Sequence, residues 1–243
     1  MTTLDPVCYA DILSSLFSNN TPLPNDVTLN FSRNKFTHAD VAAVSTHIEG
    51  SPRFPVSRLF LNNCSLGVEG MSIIVQSLVE RKPGTLKDFS ASCNMSPGFF
   101  TSAGTIHNAQ TALTRLIKSS EPLVELDLSG DDSHRFGEYI IPVVEALKSN
   151  SSLRHVDFSK HKAGDKLALA LAEVLAQNST LNEVWFDKNS TTVEGFKVLA
   201  SKLEENKSIC SIGPPLKDMA RAEKANKEEV RSCKDPTTVV SQF

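Results

Sequence analysis

The chain has 243 residues, 40% of them hydrophobic, enough for one or two globular domains or for one elongated array. Its 25 Lys and Arg against 28 Asp and Glu leave a formal net charge of −3 with no large block of like charge, which argues against nucleic acid or an anionic membrane as partner. The N-terminal MTTLDPVCYADILSSLF has neither a basic flank nor a long apolar run, so neither a signal peptide nor a membrane-inserted helix is expected, and the scattered Cys8, Cys64, Cys93, Cys210 and Cys233 form no C-x-x-C pair, which points to reduced thiols in a cytoplasmic protein rather than to a metal site.

Residues 5–18 read as a repeat's helix, with Val7, Ile12, Leu13, Leu16 and Phe17 as its buried set. No polar capping unit precedes them, so the chain is expected to be the second half of a longer horseshoe. A short frame then recurs. DVTLNFSRN (26–34) is a weak copy, followed by VSRLFLNNC (56–64), LKDFSASCN (86–94), LVELDLSGD (123–131), LRHVDFSKH (153–161) and LNEVWFDKN (181–189). Each approximates L-x-x-L-x-L-x-x-N/C, the signature of leucine-rich repeats.

The first positions, Val56, Leu86, Leu123, Leu153, Leu181 and Ile209, lie 30, 37, 30, 28 and 28 residues apart. Periods of 28 to 30 belong to the class in which a helix follows each strand, and the 37 marks an insertion around SPGFFTSAGT, after Asn94. Helical stripes fill the intervals: Met71, Ile74 and Leu78, then Leu167, Leu171, Val174 and Leu175, then Phe196, Leu199, Ala200 and Leu203. Asn150, Asn178 and Asn206 each stand three residues before a frame, where a left-handed C-terminal cap is expected. Past Ile209 the frame is broken by Pro214 and Pro215. A charged helix follows, with Leu216, Met219, Ala222 and Val230 as its contacts.

The fold implied is an α/β leucine-rich repeat solenoid, a ribonuclease-inhibitor-like horseshoe with parallel strands inside and helices outside. Stacking is required, because one strand and one helix cannot bury their apolar faces alone. Residues 1–207 make about six repeats, the first incomplete; residues 208–234 form a C-terminal cap strand and helix; residues 235–243 form a flexible tail. Asn34, Cys64, Asn94, Asp131, His161 and Asn189 occupy the ladder position, where an inward side chain satisfies loop backbone groups. Asp131 and His161 fit this role less well, and irregular or hydrated turns are expected there.

In each frame the residue between two core positions faces the concave surface: Asn30, Phe60, Ser90, Asp127, Asp157 and Trp185. The next outward set is Ser32, Asn62, Ser92, Ser129, Ser159 and Asp187. The partner-binding candidates are Phe60, Asp127, Asp157, Trp185, Asp187 and Lys188. Trp185 is either a binding anchor or a side chain packed beneath the cap near Pro214 and Leu216. Phe60 is either a surface anchor or a contact of the insertion near Phe99 and Phe100.

Asp127, His155 and Asp157, with Ser129 or Ser159 as nucleophile, are the nearest approach to a catalytic set. No nucleophile elbow, phosphate loop or HExxH pair accompanies them, so no catalytic residue, metal or cofactor is expected. The terminal Ser241-Gln242-Phe243 fits a loose carboxylate-capture pattern.

Residues 120 to 232 resemble the end of the leucine-rich domain of the CARMIL family, linkers of capping protein, Arp2/3 complex and myosin I. The resemblance rests on LVELDLSGDDS, NSSLRHVDFSK, VWFDKN…VEGF and ENKSICSIGPPLKDMARA. Residues 27–119 follow the same repeat order more loosely, including the long insertion. The resemblance implies a non-enzymatic scaffold in the cytoplasm near cortical actin, with protein partners of the actin cytoskeleton and self-association through the C-terminal helix. The family's capping-protein-interaction segment is not found in this sequence, so that binding is not implied. A tropomodulin-like pointed-end binder and a recognition module unrelated to actin are the alternative readings.

Overall fold

Each frame sets two apolar residues around one outward residue, and an extended backbone then drives the outer two to one side. In the computed structural model, which describes residues 6–17, 26–50, 56–81, 84–119 and 122–232, Leu126 and Leu128, Val156 and Phe158, and Val184 and Phe186 are all buried. The strands are short: β1 (Val27–Asn30), β2 (Val56–Phe60), β3 (Asp88–Ser90), β4 (Glu125–Asp127), β5 (His155–Asp157), β6 (Glu183–Trp185) and β7 (Ser211–Ile212). They form one parallel sheet in chain order, β1 to β7.

Helices follow the strands: α1 (Pro6–Phe17) ahead of β1, then α2 (His38–Gly50), α3 (Gly67–Glu80), α4 (Ala103–Lys118), α5 (Ile141–Glu145), α6 (Asp165–Gln177), α7 (Val193–Glu205) and α8 (Leu216–Ser232). The fourth interval departs from the pattern. α5 is a single turn flanked by 3₁₀ segments at Gly137–Ile140 and Ala146–Ser149, and Pro142 stands at its start. Between sheet and helices lies one continuous apolar core running from Tyr9 to Leu199.

The turns after the strands share a conformation. Arg33, Asn63, Cys93, Lys160 and Lys188 all take positive φ, from 55° to 70°, immediately before a ladder residue. Behind them Asn94 and Asn189 act as rungs. Asn94 Nδ2 donates to the carbonyls of Leu61 (2.7 Å) and Ala91 (3.0 Å), and its Oδ1 accepts the Cys64 N–H at 2.9 Å. Asn189 repeats the arrangement with Phe158 (2.9 Å), Phe186 (2.7 Å) and the His161 N–H (3.0 Å). Cys64 makes the weaker thiol version, Sγ to the Phe31 carbonyl at 3.1 Å. The Asn34 side-chain amide donates to the carbonyls of Phe31 and Ser32 in its own turn.

His161 fits the ladder better than expected. Its Nδ1 accepts the Phe136 N–H at 3.1 Å, so Nε2 carries the proton and donates to the Leu128 carbonyl at 2.8 Å. Asp131 leaves it. Its carboxylate points outward and accepts the N–H groups of Ser133 (2.7 Å) and His134 (2.6 Å), capping a local loop. The cause lies one residue earlier: a Cβ at Gly130 would stand 2.5 Å from the His134 carbonyl oxygen, so this loop closes tightly over a glycine and turns the next side chain away.

The helix-terminal asparagines also correct the sequence reading. Asn150, Asn178 and Asn206 are extended, with φ of −83°, −89° and −78°, and none is left-handed. They form a second ladder. Asn178 Nδ2 donates to the carbonyls of Leu147 and Asn150, and Asn206 Nδ2 to those of Leu175 and Asn178, all within 2.7–3.0 Å. Each Oδ1 accepts the N–H of the first residue of the next frame, as Asn150 does from Leu153 and Asn178 from Leu181. A buried orphan at each point would cost about 1–3 kcal/mol, which accounts for asparagine at this offset.

The terminal helices differ from expectation in detail. In α1, Leu13 is buried but Ile12 is exposed, and Tyr9 takes the core position, stacked on Phe36 at 4.8 Å and edge-on to Phe31 at 5.5 Å. The side chains of Val7, Leu16, Phe17 and Val230 lie outside the described residues, as do the expected tail 235–243, with Ser241-Gln242-Phe243, and the thiols of Cys8 and Cys233. In α8 only Ala222 of the expected contacts is buried; Leu216 and Met219 are exposed. In α7, Ala200 is exposed and Phe196 and Leu203 are half-buried.

Candidate functional site: the concave wall

Parallel pairing carries the outward residues into rows across the strands. One row runs Asn30, Phe60, Ser90, Asp127, Asp157 and Trp185, each paired with the next. A second runs Thr28, Arg58, Asp88, Glu125, His155, Glu183 and Ser211. This second row was missed as a surface in the sequence reading. Its signal was the same alternation of period two, carried one step toward the strand start.

Together the rows line an open recess of about 450 Å³, with Phe60 toward one end, Trp185 at the other, and Asp88, Glu125, Asp127 and Asp157 between. Phe60 faces this recess and does not meet the insertion: Phe99 and Phe100 are 97% and 95% exposed and touch each other, centroids 5.3 Å apart.

The acidic side chains are built into the wall. Asp127 accepts the Ser129 N–H at 2.9 Å and the Ser90 hydroxyl at 2.8 Å, and Asp157 accepts the Ser159 N–H at 2.7 Å. Ser129 and Ser159 are buried beneath these carboxylates. This takes both serines off the exposed wall, where the sequence pattern had set them. Burial, with Glu125 beside it, pushes the Asp88 carboxyl above its usual range. Burial, with Asp127 beside it, does the same to Asp157. Two like-charged, partly dehydrated carboxylates favour a cation across the recess.

Trp185 stands on the wall 43% exposed. One side of the indole lies against Gly213, where an added Cβ would fall 2.2 Å from Cδ2. Its Nε1–H donates to Glu183 Oε1 at 2.8 Å, and His155 Nδ1 meets Glu183 Oε2 at 3.0 Å. Hydrogen bonds from His155 and Trp185 hold Glu183 below the ordinary carboxylate range. At the far end Arg58 Nε donates to Thr28 at 2.8 Å and its Nη2 meets Asp26 at 3.4 Å.

Asp187 and Lys188 are placed apart from this set. Asp187 accepts the N–H groups of Lys217 (3.2 Å) and Asp218 (3.1 Å) and so caps the start of α8. Lys188 is exposed in the positive-φ turn slot. Asp218, not singled out in the sequence, completes the first ladder: its buried carboxylate accepts Asn189 N–H at 2.7 Å and Ser190 N–H at 3.0 Å. Among the described residues, no group of three or more His, Cys, Asp or Glu could hold a metal ion. Nor is any helix there long and apolar enough to cross a membrane.

No protein-family model matches the chain. Among solved structures it is similar to "Leiomodin-1 Actin-Binding Site 2 (ABS2)", at 15% identity and a TM-score of 0.42, over 92% of this chain and 96% of that one.

Proposed function

We propose that this chain acts by binding and not by catalysis, as an interaction scaffold among proteins of the actin cytoskeleton, with the concave wall as its partner surface. The actin assignment rests on the resemblance of residues 120–232 to the CARMIL leucine-rich domain. The carrying observation for the wall is Trp185. It is a large aromatic, 43% exposed, locked from behind by Gly213 and from the side by Glu183, and next in register to Asp157. A rigid aromatic beside dehydrated carboxylates is the composition of a binding hot spot, and the carboxylates select a partner presenting Lys or Arg.

Binding assays against purified actin-regulatory proteins, comparing the native chain with Trp185→Ala and with Asp127→Asn/Asp157→Asn, test this reading. Loss in both variants, with binding that weakens as salt rises, supports it. Retention of every partner by Trp185→Ala refutes the wall. Co-sedimentation with filamentous actin alone would favour a direct filament binder over a linker.

A further inference from the structure

The Trp185 indole has a closed side and an open one. β6 lies between β5 and β7, and on the β7 side the ring rests on Gly213, where an added Cβ would fall 2.2 Å from Cδ2. Its ring nitrogen is already spent, donating to Glu183 Oε1 at 2.8 Å along its own strand. Glu183 is held in turn by His155, whose Nδ1 lies 3.0 Å from Oε2. The other side of the ring looks over β5 into the recess, where Asp157, Asp127 and His155 share the lining with it. An immobile ring with one free side and no donor to offer is suited to stacking and not to hydrogen bonding.

The free side has an acidic neighbour. Asp157 is the register partner of Trp185 on β5, and Asp127 follows on β4, each step about 4.8 Å across the sheet. Asp127 has both oxygens engaged, by the Ser129 N–H and the Ser90 hydroxyl. Asp157 accepts the Ser159 N–H on Oδ1. Among the described residues, no Lys or Arg side chain forms an ion pair with Asp88, Glu125, Asp127 or Asp157. Burial holds the Asp157 carboxyl above its usual range, so an arriving cation meets a carboxylate short of both water and counter-charge.

We infer that the β5–β6 end of the wall is an arginine site, where a partner's guanidinium stacks on the open side of Trp185 and turns its N–H groups to Asp157. The inference rests on the concave wall as partner surface and narrows the cation it reads. A guanidinium is planar and weakly hydrated, so it can lie on an aromatic ring and still aim its in-plane donors at a carboxylate. A lysine ammonium is a compact, strongly hydrated point charge and gains only the electrostatic part. An acidic group finds neither a cation nor the indole N–H here, since Glu183 holds the latter. Glu183 is therefore a positioning residue: it fixes the ring against which the guanidinium lies.

Calorimetric titration of the full chain at low salt with two probes of equal charge, hexa-arginine and hexa-lysine peptides, tests it. Hexa-arginine should bind about fivefold tighter or more, a preference the size of one stacked guanidinium. It should also shift the emission of Trp185, the single tryptophan of the chain. Trp185→Leu should bring the two peptides to the same affinity, and Asp157→Asn should weaken hexa-arginine binding. The native chain decides the first point without any variant. Equal affinities there overturn the inference and leave the wall standing as a partner surface, which the protein-binding assays test separately. An arginine preference that survives in Trp185→Leu overturns it too, as does hexa-arginine binding indifferent to Asp157→Asn, or no binding of either peptide.

Discussion

The carboxylate of Asp218 lies 2.7 Å from the backbone nitrogen of Asn189, closing from α8 a ladder otherwise built from strand-loop residues. Asp218→Ala would strand the buried N–H groups of Asn189 and Thr191 and release the start of α8. The expected loss is about 2–4 kcal/mol in urea unfolding. Asp132→Ala, at a fully solvated side chain, is the control and should change little.

The sandwich of core and wall makes a contrast within three consecutive residues. Leu126→Ala or Leu128→Ala should cost about 2–5 kcal/mol. Asp127→Asn keeps an acceptor for Ser129 and should stay within about 1 kcal/mol. Equal, large losses at all three positions in denaturant titrations would contradict the register.

His161 sets a pH dependence. Burial drives its pKa from 6.5 down to about 4, so the folded state holds it neutral while the unfolded chain binds a proton below 6.5. Stability from this group is fully present above pH 6.5 and is lost as pH falls toward 4, by an amount on the order of 3 kcal/mol. His161→Asn places there the residue that Asn94 and Asn189 already use. It should fold and should lose this slope between pH 6.5 and 4 in urea midpoints.

Asp157 works in the opposite sense. Its folded pKa is raised by burial and by Asp127, so its ionised form destabilises the fold at neutral pH. Asp157→Asn should raise the unfolding midpoint at pH 7, and the gain should vanish as pH falls below the carboxylate range.

Gly213 and Trp185 offer an optical test, since Trp185 is the single tryptophan of the chain. Gly213→Ala places a methyl inside the indole's contact distance. The ring must move off the β7 backbone, with a red-shifted emission and a loss of about 1–3 kcal/mol.

The strand frames were legible because a period of two leaves no freedom: once Leu126 and Leu128 are inside, Asp127 is outside. The first ladder was legible for Asn94 and Asn189, whose amides can donate and accept together. What a pattern could not resolve was geometry decided by a neighbour. Asn150, Asn178 and Asn206 recur at one offset, and a left-handed cap or a bridging amide predicts the same recurrence. Asp131 lost its rung to the tight approach at Gly130. Asp187 and Asp218 owe their roles to where α8 begins, which depends on Pro214 and Pro215 turning the chain. In α1 the pattern did not single out Tyr9, which is buried where Ile12 is exposed.

Each rung reaches from a later repeat to an earlier one: Asn94 to Leu61, His161 to Leu128, Asn189 to Phe158, Asp218 to Asn189. On a ribosome, therefore, a strand-loop bridged in this way cannot finish closing until the following repeat, some 30 residues on, has been made. The nascent chain must trail an unfinished seam behind the exit tunnel, and the last of these seams waits for α8.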